Sequence, residues 1–236
     1  MSNFVILLAG GSGLRICSNV PKQHIVLNEH QIIEYTLLAF SSCEAVESIL
    51  VVSNALYKKK LEAHKVFFNK LKWVIDGGET RIKSAYNAIK FLQDKCYDTD
   101  NIIVSDGARP CITHREIEEL YSELQTSVAA TTAIDSYETL LRVGNGKIVD
   151  LIPRDGIVRQ TSPEAYKYGV LKQLYLYTAD NEIDSYRNIG IDQLVNKGEK
   201  VSVIKSNIFN FKITTPEDLY MFEYVLKKGF NTIINQ

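Results

Sequence analysis

An unbroken apolar run, Phe4 to Leu8, stops abruptly at Gly10, Gly11 and Gly13. A run with no polar alternation suits a strand buried on both faces, as in a parallel sheet. Glycines at the end of such a strand let the backbone turn tightly and approach a ligand with no Cβ in the way. Arg15 and Lys22 follow, while Asn19 and Pro21 keep the intervening segment out of a regular helix. Backbone N–H groups combined with fixed cations form a good holder for a polyphosphate. The competing reading is an ordinary strand-to-helix turn with surface cations. Two familiar phosphate loops fail here: no Gly-Lys-Ser or Gly-Lys-Thr occurs, and Ile16 stands where the dinucleotide fingerprint needs glycine or alanine.

The rest of the chain alternates strands with helices. Patterning predicts strands at Ser48–Ser53, Lys72–Ile75, Asn101–Val104, Ala129–Ile134 and Val201–Ile204. Helices are predicted at Gln31–Cys43, Ala55–Phe68, Thr80–Leu92, Thr113–Leu124, Pro163–Tyr177 and Ile189–Lys197. Thr113 and Glu116 form a capping-box pattern, and Ser162 with Pro163 reads as a helix start. A last helix opens at Thr215-Pro216-Glu217-Asp218 and runs to about Lys228. Such alternation implies an α/β fold, a Rossmann-like three-layer α/β/α sandwich with a mainly parallel sheet. The rhythm breaks between Ser136 and Arg159, where Gly144-Asn145-Gly146 separates two short strands, Thr139–Arg142 and Lys147–Ile152. That is a projecting β-hairpin, marginal alone and expected to pack on something, a second subunit being the natural candidate. One domain over residues 1–236, with an arm at about 136–159, is the expected organisation.

Bulk properties exclude several classes. A formal net charge of −1 gives no global field for nucleic acid or an anionic membrane, so neither partner is expected. No apolar stretch approaches the roughly 18 residues that span a bilayer, and no secretory signal pattern is visible. The four cysteines make no C-x-x-C and the four histidines are scattered, so a zinc site is not expected. Reduced thiols in a cytoplasmic protein are the simplest account.

Ligands of open parallel sheets bind outside the carboxyl ends of the strands. That rule gathers four clusters on one rim. The first is Gly10, Gly11, Gly13, Arg15 and Lys22. The second is Gly78, Glu79, Thr80, Arg81 and Ser84, where Gly77 and Gly78 allow a base or ribose to come close, or simply make a turn before a helix. The third is Ser105-Asp106-Gly107-Ala108-Arg109-Pro110. An acid directly after an apolar strand suits a Mg²⁺ ligand beside phosphates, and Asp-Gly is also a common turn pair. The fourth is Asn210-Phe211-Lys212-Ile213-Thr214, in which Lys212 taken alone reads as a solvated lysine. Together they describe a triphosphate binder with several cations and one metal carboxylate. No nucleophile–base pair is evident, so positioning and charge neutralisation would do the chemistry, as in phosphoryl or nucleotidyl transfer.

These blocks, in this order, resemble the cytidylyltransferase family that makes CDP-alcohols from CTP, which includes methylerythritol-phosphate and ribitol-5-phosphate branches. The resemblance covers nearly the whole chain. It rests on Ala9-Gly10-Gly11-x-Gly13-x-Arg15, Pro21-Lys22-Gln23, Gly77-Gly78-x-x-Arg81-x-x-Ser84, Asp106-x-x-Arg109-Pro110, Ala133-Ile134-Asp135-Ser136 and Asn210-Phe211-Lys212-Ile213-Thr214-x-Pro216-x-Asp218-Leu219. It implies that Ala9, Gly10, Gly11, Gly13, Gly78, Glu79, Arg81, Ser84 and Gly107 lie against the nucleotide. It further implies that Arg15 and Lys22 stabilise the α-phosphate, that Lys212 assists them, and that Asp106 holds Mg²⁺. The acceptor oxygen would attack the α-phosphorus in line and release pyrophosphate. Arg109, Asp135, Arg154 and Thr161 match positions near the acceptor, with Arg154 and Thr161 supplied across a homodimer that interlocks through the arm.

The chain departs from the methylerythritol pattern in three places. Phe209 stands where a second acidic metal ligand is usual, Asn188-Ile189-Gly190 replaces a Thr-Asp-Glu block, and Gln-Thr-Pro-Gln becomes Gln160-Thr161-Ser162-Pro163-Glu164, which leaves Thr161 and Ser162 both eligible. The opening Leu-Ala-Gly-Gly and the aromatic before Asn210 look more like the ribitol branch. Its acceptor, D-ribitol 5-phosphate, is therefore the expected one, giving CDP-ribitol for a cell-surface polysaccharide. Methylerythritol 4-phosphate or another sugar phosphate is the alternative. A nucleotide-binding protein that lost turnover is the reading from a different class.

Overall fold

In the computed structural model, residues 1–11, 16, 20–176 and 190–236 are described. Expectations that fall on Gly13, Arg15, Cys17, Asn19, Asn188 and Ile189 therefore lie outside the described residues.

Strand β1 (Asn3–Ala9) lies inside a seven-stranded sheet, and its register with both neighbours is parallel. After β1 come a 3-10 turn at Lys22–His24 and a two-residue ribbon, β2 (Val26–Leu27) with β3 (His30–Gln31). Then follow α1 (Ile32–Ser42), β4 (Ser48–Ser53), α2 (Ala55–Ala63), β5 (Leu71–Asp76), α3 (Arg81–Phe91), β6 (Asn101–Asp106), α4 (His114–Glu123) and β7 (Ala129–Asp135). A hairpin of β8 (Leu140–Gly144) and β9 (Lys147–Ile152) stands outside the main sheet. The chain returns through β10 (Val158–Lys167), α5 (Tyr168–Tyr175), α6 (Ile191–Asn196), β11 (Val201–Lys205) and α7 (Pro216–Ile234). The sheet order is β11-β7-β10-β6-β1-β4-β5, and β10 alone runs antiparallel to its neighbours.

Alternate side chains of β1 feed two cores. Val5, Leu7 and Ala9 pack with α1, α2, α4 and α7, whereas Ile6 packs with α3, α5 and α6. The result is the three-layer α/β/α sandwich expected from the alternation. Both α4 and α7 begin with a capping box, the first formed by Thr113 with Glu116 and the second by Thr215 with Asp218. Helix α7 continues past Lys228 to Ile234, across a break at Gly229, whose φ of 104° no side-chain-bearing residue adopts readily.

One element is corrected. Pro163–Tyr177 is not a helix from its start: residues 163–167 complete β10, and α5 begins only at Tyr168. Ser162 and Pro163 mimic a cap and first helical position locally, but β10 finds ladder partners on both sides, β6 and β7. Its register shifts between Gln160 and Glu164, a bulge that absorbs the proline, which has no N–H to donate.

Candidate active site

The chain leaves β1 to one side for β4 and β5, then returns to β6 on the other. The carboxyl ends of β1 and β6 thus form the switch point where an open α/β sheet splays its loops. A cleft of about 560 Å³ lies there. The structure brings together in its walls Gly10, Gly11, Lys22, Gly78, Glu79, Arg81, Ser84, Asp106 and Lys212, all expected from sequence. Ala9 and Gly107 lie just beneath: a Cβ on Gly107 would sit 3.0 Å from that of Ala9.

Asp106 ends β6 and is buried. Lys212 Nζ lies 2.9 Å from its Oδ2, Arg109 Nε 3.5 Å from the same oxygen, and Arg81 Nε 3.7 Å from Oδ1. Burial pushes the Asp106 carboxyl up, but Lys212, Arg81 and Arg109 more than cancel this and hold it below the usual carboxylate range. Burial pushes the Arg109 guanidinium down despite the pull of Asp106, and Arg81 and Arg159 add to the repulsion. One carboxylate therefore gathers an excess of positive charge at the strand ends. Such a site attracts a polyanion strongly.

The glycine turn after β1 is held from below. Gln23 is buried, and its Nε2 donates to the carbonyls of Ala9 at 2.5 Å and Gly11 at 2.9 Å. Around Gly11 no described residue lies within 4 Å of an added Cβ. Gly78 is required by the protein itself, because a Cβ there would lie 2.9 Å from the carbonyl carbon of Lys83 at the start of α3. Ser84 Oγ accepts from Gly78 N at 3.0 Å and ties this turn to α3. Lys22 Nζ approaches Thr214 Oγ1 at 3.5 Å, joining the 3-10 turn to the segment that carries Lys212.

The acceptor set is less concentrated. Arg109 belongs to the Asp106 cluster, and its NH1 also donates to the Asn210 carbonyl at 2.8 Å. Asp135 ends β7 on the same rim and pairs with Lys205 at 2.9 Å. Thr161, on β10, shares a 2.6 Å hydrogen bond with Thr132. Arg154 is exposed near the hairpin and donates to the Tyr137 carbonyl at 2.8 Å. Arg109, Asp135, Arg154 and Thr161 do not line the cleft, although Arg109 reaches Asp106 on its wall.

Thr80, Ala108 and Thr214, which stood in the expected clusters without a role, line the cleft together with Leu8, and Gln23 of the Pro21-Lys22-Gln23 block braces it. Glu164 is a further carboxylate beside Arg81. It accepts from Tyr166 Oη at 2.6 Å and Gln160 Nε2 at 2.9 Å, and burial pushes it up while Tyr166 and Arg81 pull it back. The wrongly predicted helix start concealed it, because Glu164 instead stands in β10 between Val104 of β6 and Thr131 of β7. Phe209 packs its ring against the core and offers no ligand oxygen. Among the described residues no group of three or more acids, histidines or cysteines could hold a metal. Asp106 can serve an ion that arrives with a triphosphate, since Mg²⁺ takes most of its ligands from phosphates and water and needs only one or two carboxylates. Among the described residues no helix is long and apolar enough to cross a membrane.

A cation-rich cleft at the switch point of a doubly wound sheet defines a nucleotidyltransferase type of α/β sandwich, built to neutralise phosphates. Residues 3–228 match the family described as IspD, 2-C-methyl-D-erythritol 4-phosphate cytidylyltransferase, and the chain belongs to that family. It is a cytidylyltransferase. It is 36% identical to the 2-C-methyl-D-erythritol 4-phosphate cytidylyltransferase of Thermosipho africanus over 92% of this chain and 94% of the relative. It is 31% identical to the ribitol-5-phosphate cytidylyltransferase of Lacticaseibacillus paracasei over 94% of this chain and 97% of the relative. The solved 4-diphosphocytidyl-2C-methyl-D-erythritol synthase of Anaerococcus prevotii shares the fold, with a TM-score of 0.79 at 21% identity over 96% and 98% of the two chains.

Proposed function

We propose that this enzyme transfers CMP from CTP to 2-C-methyl-D-erythritol 4-phosphate, forming the CDP-alcohol and releasing pyrophosphate. The observation that carries the reading is the Asp106 cluster, three cations on one buried carboxylate at the floor of a glycine-walled cleft. The acceptor follows the family match over residues 3–228 and the 36% identical relative. In this it replaces the ribitol phosphate that the opening motif suggested.

Lys22 and Lys212 would neutralise charge growing on the α-phosphate, with Arg15 as a third cation by resemblance. An oxygen of the acceptor phosphate would form the new bond to the α-phosphorus as the bond to the pyrophosphate oxygen breaks. Asp106 would hold Mg²⁺, which when bound supplies charge neutralisation across the triphosphate. Entry of the phosphates would give Arg81, Arg109 and Lys212 new anionic partners, loosening their hold on the Asp106 oxygens. Arg109, Asp135, Arg154 and Thr161 are proposed for the acceptor, the last two supplied across a homodimer. Exposed Leu141, Val143, Ile148, Val149 and Leu151 on the hairpin support a covered, dimer-forming arm.

A second reading, D-ribitol 5-phosphate as acceptor, is favoured by Phe209 and by the 31% identical ribitol-5-phosphate relative. Pyrophosphate release with CTP and Mg²⁺, measured against both acceptors, decides between them. The higher kcat/KM is expected with methylerythritol 4-phosphate; a clear preference for ribitol 5-phosphate would overturn the assignment, and silence with both would refute turnover of either.

A further inference from the structure

Glu116 is fully buried in the first turn of α4 and takes hydrogen bonds from five donors. Two of these, Thr113 N and Thr113 Oγ1, both 2.9 Å from Oε2, belong to the capping box. The other three come from a distant segment and exceed what a helix cap needs. Ser206 Oγ donates to Oε1 at 2.5 Å, Asn207 N to Oε1 at 3.1 Å, and Asn207 Nδ2 to Oε2 at 2.7 Å. All five partners donate, so a carboxylate fits this position and an amide would turn its own N–H groups against them.

The same two residues build the turn that leads into the cleft. Asn207 Oδ1 accepts from Phe209 N at 2.8 Å, the Asn207 carbonyl accepts from Asn210 N at 3.2 Å, and Ser206 Oγ accepts from Asn210 Nδ2 at 3.2 Å. Asn210 Nδ2 also donates to the Ser162 carbonyl at 2.9 Å, fixing the turn to the bulge of β10. The Asn210 carbonyl receives Arg109, and two residues later Lys212 reaches Asp106. Asp106, Arg109 and Lys212 thus come from two segments whose spacing is set by bonds that converge on one carboxylate.

We infer that Glu116 is a positioning residue for nucleotide binding: through Ser206 and Asn207 it fixes the turn that aims Lys212 and Arg109 at the phosphates. This rests on the reading that Lys212 faces CTP. It is tested by calorimetric titration of the folded full chain with CTP and Mg²⁺, alongside thermal melting. Lys212→Ala is the reference, and Glu116→Gln, Asn207→Ala and their double variant are the probes. Asp100→Asn, which weakens the hydrogen bonds from Ser2 N and Tyr97 N at the amino end of β6, opposite the cleft, is the stability control. Glu116→Gln and Asn207→Ala are each expected to weaken CTP binding about fivefold or more, as small misplacements of binding groups do. The double variant is expected to lose little more than the worse single, since one network is broken in each. Asp100→Asn should melt earlier and bind CTP as the parent does. If Glu116→Gln does not fold, Asn207→Ala carries the test, because it leaves the Thr113–Glu116 box intact. Parental affinity in a folded probe, losses that multiply, or an equal loss in Asp100→Asn overturns the inference. Parental affinity in Lys212→Ala overturns the reading of the site as well, whereas a loss there with none in the probes overturns positioning alone.

Discussion

Replacing Asp106 by asparagine removes one charge and little volume, and it leaves Arg81, Arg109 and Lys212 without the anion they share. Breaking a buried ion pair from one side costs about 3–5 kcal/mol, because the partner charge stays behind uncompensated. Here the side chain of Arg109 is 14% exposed, which supports a cost near the bottom of that range. Those of Arg81 and Lys212 are 41% and 33% exposed, so water screens them and each adds well under about 1 kcal/mol. A net loss of about 3 kcal/mol follows. For a chain of this length about 2–4 °C is lost per kcal/mol, giving a melting temperature roughly 6–12 °C lower. The assay is thermal unfolding of both proteins without nucleotide or metal, repeated across pH. The folded-state carboxyl is held below its ordinary value, so its contribution is full above the unfolded carboxylate pKa and fades as pH falls through the lowered value. The gap between parent and variant should therefore be constant from neutral pH to about 5 and close below about 4. A variant that melts within about 2 °C of the parent at pH 7, against the shift worked above, would refute the view of Asp106 as the counter-charge of the cluster.

Gln23→Ala leaves the Ala9 and Gly11 carbonyls without their donor, which at about 1 kcal/mol each should lower melting by roughly 4–8 °C and weaken CTP binding in calorimetry. Unchanged affinity would mean that the glycine turn keeps its shape without that brace. The hairpin arm is expected to make the protein run at twice the chain mass in light scattering, and a monomer at micromolar concentration would remove the arm from the account.

Much of the fold was legible because its signals are local. The limits of β4 and β9 match Ser48–Ser53 and Lys147–Ile152, since a buried run or a Gly-Asn-Gly turn is written in consecutive residues. The capping box of α4 and the Thr215-Pro216 start of α7 were readable for the same reason. Residues 163–167 were not: Ser162-Pro163 carries a helix-start signature that two flanking strands override. The candidate site divides likewise. Glycines, Lys22, Asp106 and Lys212 could be placed on one rim by the strand-end rule, whereas Arg109, Asp135, Arg154 and Thr161 proved to lie outside the cleft walls.

By itself the sequence determined the order of layers, the rim that carries the cleft and the chemical types lining it, because patterning and turn chemistry act over a few residues. Only the tertiary structure decided which groups meet. Asp106 finds Lys212 across more than a hundred residues, and Glu116 finds Asn207 across 91. Such pairings depend on the sheet order, in which β6 returns beside β1 and β10 enters between β6 and β7. Hydrogen bonds and ion pairs form at distances of about 3 Å, and no pattern along the chain encodes a distance across it.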